Sequence, residues 1–317
     1  CYVVVSEMAK NKTGKKKIVV ASILAALAMQ VGVVADVSAD ESTLTLGGGK
    51  AANGMTNGVS IGNLAESNSH QSIAIGYQAL ATSQYANPAQ PAVAIGAGAH
   101  ATGRGGVSLG LIANSSVRGT AIGSATQATG FGAFAGGTYA QATNAGDVAI
   151  GGASSDQFNN YAVASGGYSV AIGTAAKADG SAGVSIGYKT NAKTSNSLAV
   201  GSESQATGEG AVAVGRKNTS TGASSTVLGI LSTANATSAT AVGMQTTATG
   251  ENSLAVGHLS SAIGKNGVAV GTNRTTAALG GVAVGQAAKS NKFNSVAMGM
   301  NVTADGDNSV ALGGSAS

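Results

Sequence analysis

From Gly173 onward the chain alternates aliphatic and small residues in a short phrase that ends in glycine, and the phrase returns every fourteen residues. Its closing glycines are Gly173, Gly187, Gly201, Gly215, Gly229, Gly243, Gly257, Gly271, Gly285, Gly299 and Gly313. Upstream the phrase closes at Gly62, Gly76, Gly96, Gly110, Gly123, Gly137 and Gly151, with a degenerate copy ending at Gly48. Three upstream steps depart from fourteen: twenty before Gly96, thirteen before Gly123 and twenty-two before Gly173. One register therefore runs through the chain, with two insertions and one deletion.

One residue before the glycine stands an aliphatic such as Ile75, Ile172, Val200 or Leu312, with Gly136 as the exception. Three before it is Val, Ile or Leu, except Phe134 and the polar Thr120, Thr226 and Thr240. Between them lies Ala or Ser, as Ala74, Ser108 and Ala199, with Val227 departing. This period of two predicts a β-strand. Small residues alternate again in the second half of each unit, as in Ser204-Gln-Ala206-Thr-Gly208, and predict a second, shorter strand. Glycines at the ends of both halves suit tight turns with positive φ.

Two strands and two turns in fourteen residues make one rung of a narrow solenoid. About eighteen rungs stacked at ~4.8 Å would give a rod of roughly 85 Å. Pro88 and Pro91, the only two prolines, fall in the first insertion and never in a rung, where each N–H is needed by a neighbour. Two aliphatic side chains per rung are too few to offset the ordering of fourteen residues. The expectation is that aliphatics fill the rung, and that the small Ala/Ser face is where other chains pack.

Composition excludes the alternatives. There are 49 Gly and no Trp, with 3% aromatic and 9% charged residues, so a core of large side chains cannot be built. Hydrophobic residues reach 43%, which argues against disorder. The net charge of +4 is concentrated in residues 1–39, which carry +3, while the remaining charges are sparse and balanced. No phosphate-binding stripe follows from this, and no nucleic-acid partner is expected.

Residues 1–39 read as an export signal. Lys15-Lys16-Lys17 precedes the apolar run Ile18–Met29, and Val37-Ser38-Ala39 supplies a small-residue cleavage site before Asp40, placing the cut at Ala39–Asp40. Gln30, Gly32 and Asp36 interrupt the run before it could span a bilayer. Cys1, the only cysteine, lies in this leader, so disulfide, zinc and thiol chemistry are not expected after cleavage.

Two sets of residues carry a family resemblance. The Val-Ser-Glu…Gly-Lys stretch ahead of the signal resembles the later part of the extended signal-peptide region of large autotransporters, with its usual opening missing. Asn196-Ser-Leu-Ala-Val-Gly-Ser-Glu-Ser204 and Asn252-Ser-Leu-Ala-Val-Gly-His-Leu-Ser260 resemble the Asn-Ser-Val-Ala-Ile-Gly-x-x-Ser motif of YadA-like trimeric autotransporter adhesin heads. Residues 294–299 and 308–313 match its first six positions, and the likeness covers almost all of residues 48–317.

The resemblance implies an all-β fold: a left-handed parallel β-roll solenoid of fourteen-residue repeats, packed as a homotrimer around a common axis. It divides the chain into an extended signal peptide, 1–39, and head repeats, 40–317, interrupted near 77–91 and 152–168. It also implies a virulence-associated adhesin on the surface of a Gram-negative outer membrane, exported by a cleaved signal peptide. Its partners would be host collagen, fibronectin or laminin, or the host cell surface, with autoagglutination and biofilm formation as accompanying activities. The stalk and C-terminal membrane anchor of such proteins would have to follow residue 317. Carried over by motif position, ligand binding points to Asn196, Ser197, Ser204, Asn252, Ser253 and Ser260. The same residues also suit turn and packing roles in any rung, and both readings stand at this point.

No enzyme and no cofactor are expected. His70, His100 and His258 lie far apart, each near a turn. Carboxylates are few and in the regular repeats sit at turns, as Asp179, Glu209 and Glu251 do, with no obvious candidate for the facing pair that hydrolysis needs. Hexapeptide β-helices house acyltransferases, but fourteen is not a multiple of six. A passive structural spacer is the other alternative, and the irregular threonines argue against an ice-binding ladder. The inserted loops bring Tyr85, Phe158, Tyr161 and Tyr168, aromatic candidates either for protein recognition or for clamping neighbouring subunits.

Overall fold

The computed structural model of the chain describes residues 43–51, 57–83, 91–153 and 160–315. The proposed signal peptide, its cleavage site Ala39–Asp40, and the loop residues Tyr85 and Phe158 lie outside the described residues. The chain forms two compact units, Cys1–Ala125 and Thr126–Ser317. Among the described residues each unit consists of strands and turns, with no helix.

Every rung has the same plan. In the first unit three-residue strands such as Val59–Ile61, Ile73–Ile75, Val93–Ile95 and Val107–Leu109 pair in parallel, one rung to the next. Two-residue strands such as Glu66–Ser67, Leu80–Ala81 and His100–Ala101 stack the same way into a second sheet. The second unit repeats this from Phe134–Gly136 to Val310–Leu312. Rung-to-rung hydrogen bonds satisfy the backbone, as in Gln205 N–H to Asn218 O at 2.8 Å and Val212 N–H to Ser225 O at 2.8 Å. The fold is a parallel β-solenoid, as the repeat predicts.

Burial corrects one expectation. The small residue between the two aliphatic positions points inward, and in most rungs it is a fully buried Ala or Ser, as Ala74, Ser108, Ala199 and Ala213 are. The aliphatics on either side point outward and are only half-buried, with Ile150, Ile186 and Leu228 about two-fifths exposed at 41%, 37% and 41%. The Ala/Ser face is therefore the chain's own core, and the aliphatic face is the one left open. Alternation tells that two faces differ, and the width of the interior decides which is inside. Ser204, Ala206, Ala211 and Ala213 of one rung all turn into it. The largest side chains it fully encloses are Val227 and Val302, so it has no room for opposed rows of Val and Ile.

The irregular steps leave strand register intact. Ile73 still pairs with Val93 across the twenty-residue step, Val148 with Val170 across twenty-two, and Val107 with Thr120 across thirteen. The first loop leaves the rung only beyond the short strand Leu80–Ala81, and the second rejoins it at Ala162, whose N–H bonds Gly151 O at 3.0 Å. Regular structure thus reaches further into 77–91 and 152–168 than the spacing of glycines indicates. One constant step hides a compensated shift. Ser261 pairs with Thr276, fifteen residues on, and Thr276 with Lys289, only thirteen on. The extra residue sits at Asn273-Arg274, where both have positive φ of 57° and 67°.

Candidate functional site

A left-handed backbone recurs every seven residues, once at each corner of the rung, as at Lys189, Asn196, Glu203 and Gly210. Asn196 and Asn252 occupy the corner before the long strand, at φ 58° and 56°. Asn tolerates this conformation better than most residues, which gives the motif's first position a backbone reason. Both asparagines are exposed, and Asn252 Nδ2 donates to Asn266 Oδ1 at 3.4 Å on the next rung.

The motif serines are placed differently: all four are buried. Ser197 Oγ donates to Thr194 O at 2.6 Å, within its own turn. Ser253 occupies the equivalent place, and its Oγ has no partner among the described residues. Ser204 Oγ donates to Gly215 O at 2.8 Å, and Ser260 Oγ donates to Gly271 O at 2.6 Å and Val256 O at 2.9 Å. These two belong to an internal polar column. Asn218, Ser232, Thr246 and Thr275 stand at the same place in their rungs and bond Gly229, Gly243, Gly257 and Gly285 O at 2.6–2.9 Å.

The column changes the strand beside it. Where its position holds Ala, as at Ala65, Ala79, Ala99, Ala113, Ala140 and Ala176, the residue's own N–H bonds the preceding closing glycine's carbonyl in a tight turn. The long strands ahead of these turns have three residues, as Ile61, Ile75 and Ile172 end theirs. From Thr190 to Thr275 the position holds Ser, Thr or Asn; six of these seven side chains bond the next rung's closing-glycine carbonyl, and the strand of their own rung runs on past its glycine. The seven strands from Val184–Tyr188 to Val268–Thr272 each have five residues. The closing position itself is sterically closed: a Cβ on Gly201, at φ +119°, would stand 1.8 Å from Gly215 O.

The aromatic candidates that are described separate to different corners. Tyr161 stacks on Tyr139 with ring centroids 6.2 Å apart, and its hydroxyl accepts from Gln141 Nε2 at 3.1 Å. Tyr168 is 73% exposed at the other corner, where its ring covers Gly146; a Cβ there would meet the ring at 2.7 Å. Beside it is a residue that sequence reasoning missed. Asp147 is fully buried, where other rungs carry Ala, Ser or Gly. Its Oδ2 accepts Asn144 N–H at 2.8 Å, and its Oδ1 accepts Ser169 N–H at 3.0 Å and Ser169 Oγ–H at 2.8 Å. Its carboxylate ties together the rungs on either side of the second loop. The available signal was a charged residue in a column otherwise kept small.

Charge on the surface is arranged in short cross-rung pairs. Lys217 lies 3.7 Å from Glu203 and Lys265 3.0 Å from Glu251, all exposed. Lys189 Nζ lies over the Tyr188 ring at 5.1 Å, and that tyrosine beside it raises the lysine's pKa. Among the described residues no group of His, Cys, Asp and Glu comes together as a metal site.

This geometry, with its obligatory glycines, left-handed asparagines and small interior, is that of a repeat built to be stacked. The chain matches the family model described as the YadA head domain repeat (2 copies) over residues 55–83, 89–111, 164–190, 192–218, 220–246, 248–273, 278–301 and 303–317. The chain belongs to this family, whose members are non-enzymatic adhesin heads of surface autotransporters. A search of curated proteins found no match.

Proposed function

We propose that this chain is the head of a homotrimeric surface adhesin, in which three copies join through their aliphatic faces and attach a Gram-negative cell to host matrix proteins or host cells. The observation that carries the reading is the open aliphatic face. The rungs seal an Ala/Ser core within one chain, yet most leave two half-exposed aliphatics beside those of the next rung. A continuous apolar strip of this kind calls for cover. Covering it with sister chains presents every outer surface three times, and avidity then multiplies weak contacts.

Export by the signal peptide, with cleavage at Ala39–Asp40, delivers the head to the surface. Ligand contact falls to Asn196 and Asn252, exposed at the corners, to Tyr168 and Tyr161, and to the loop aromatics Tyr85 and Phe158, which the sequence alone nominates. The buried Ser197, Ser204, Ser253 and Ser260 support the corners that carry them. Collagen, fibronectin and laminin are the first ligands to test. Binding of the purified protein to immobilised matrix proteins and to host cells, with an albumin-coated surface as reference, tests the reading. Saturable binding to one of them supports the adhesin. A trimer that binds none is a spacer.

A further inference from the structure

The outer face of the second unit is so repetitive that a copy laid against it has several near-equal positions. A slide of one rung, ~4.8 Å, would set Val and Ile on Val and Ile again. Two places break the repeat. In the column three before the closing glycine, Leu198 and Val212 give way to Thr226 and Thr240 before Leu254 and Val268 resume. The two threonines are partners on adjacent strands and half-buried. Among the described residues neither hydroxyl has a hydrogen-bond partner in its own chain. The second break is the rung with Phe134 and Gly136 in place of two aliphatics. The Phe134 ring leans over Gly136, where a Cβ would stand 3.2 Å from it.

We propose that Thr226, Thr240, Phe134 and Gly136 are register keys, which admit further copies of this chain onto the outer face at one axial position only. This rests on the reading that the aliphatic face joins the copies. In register, the two threonine rows of each copy meet those of its neighbour and their hydroxyls bond across the interface. Slid by one rung, a threonine of each copy lies against Val212 or Leu254 and is dehydrated without a partner. The aromatic knob likewise meets an aliphatic pair instead of its own counterpart. A polar residue in an apolar seam fixes register in coiled coils by the same asymmetry. An unrelated partner or a lipid surface gains nothing from a polar pair and a knob at two fixed levels, whereas an identical chain supplies both at the matching heights.

The test uses the full chain with Cys1→Ser and one new cysteine on the outer face. Val242→Cys copies are mixed by co-expression with Val242→Cys or with Val256→Cys copies under a second tag, and mixed disulfides are counted after mild oxidation. A disulfide needs Cβ atoms about 3.5–4.5 Å apart, so it separates the in-register pair from one displaced by a rung. With the keys present, the 242–256 bond should form at no more than about a tenth of the yield of 242–242. With Phe134→Val, Gly136→Ile, Thr226→Val and Thr240→Val together, the offset yield should rise to within about threefold of the in-register one. Thr226→Val/Thr240→Val alone, which installs a residue that neighbouring rungs already carry, should raise it part of the way and covers the case of a four-fold variant that fails to fold. Offset bonding that stays below a tenth in a folded four-fold variant overturns the keys. No inter-chain bond in any background overturns the interface reading beneath them, and light scattering of the same samples reports that outcome independently.

Discussion

Gly201 and Asp147 show how differently two positions of the same fold are constrained. At Gly201 the limit is steric: the backbone is left-handed and the next rung's carbonyl stands where a Cβ would go. Gly201→Ala should cost at least about 1–3 kcal/mol in backbone strain alone. At Asp147 the constraint is electrostatic. Asp147→Ala leaves the amides of Asn144 and Ser169 without their acceptor, and urea unfolding should show a loss of about 1–3 kcal/mol. Exposed Tyr168 stabilises little beyond its cover over Gly146, so Tyr168→Ala should weaken ligand binding while light scattering shows the assembly unchanged.

The strand and its turn are the scale at which the internal polar column acts. Ser260→Ala removes two hydrogen bonds, yet rungs with alanine at this place close by another turn, in which that residue's N–H bonds the preceding glycine. The cost should therefore be modest, about 1 kcal/mol. Amide exchange should report a strand shortened from Leu254–His258 towards three residues, and an unaltered exchange pattern would count against this link between column and strand length. Much of the element scale was legible in the sequence, because the closing glycines and alternating triplets answer to steric limits within one rung. The shift at Asn273-Arg274 was not, since an added and a lost residue leave the glycine spacing at fourteen. The candidate site was legible only in part. Motif position marked Asn196 and Ser204 alike, and burial separates an exposed corner from a buried support. Asp147 escaped notice because its role depends on Ser169, which lies beyond the second loop.

For the molecule, the consequence is that a chain can be closed in its interior and still incomplete on its surface. Spacing and residue size predicted that this protein would associate, but assigned the contact to the Ala/Ser face; that face is the chain's own core, so the proposed contact lies on the aliphatic one. That reversal makes a charge on the outer face the decisive lesion. Ile186→Lys and Leu228→Lys together leave every inward residue in place and should give folded but dissociated chains. The central claim is tested most directly by light scattering of the purified full chain, with circular dichroism confirming β structure. The account predicts a mass near three times the chain's 30.2 kDa, falling to one chain mass in the double lysine variant. A folded wild-type monomer, or a trimer untouched by both lysines, would contradict it.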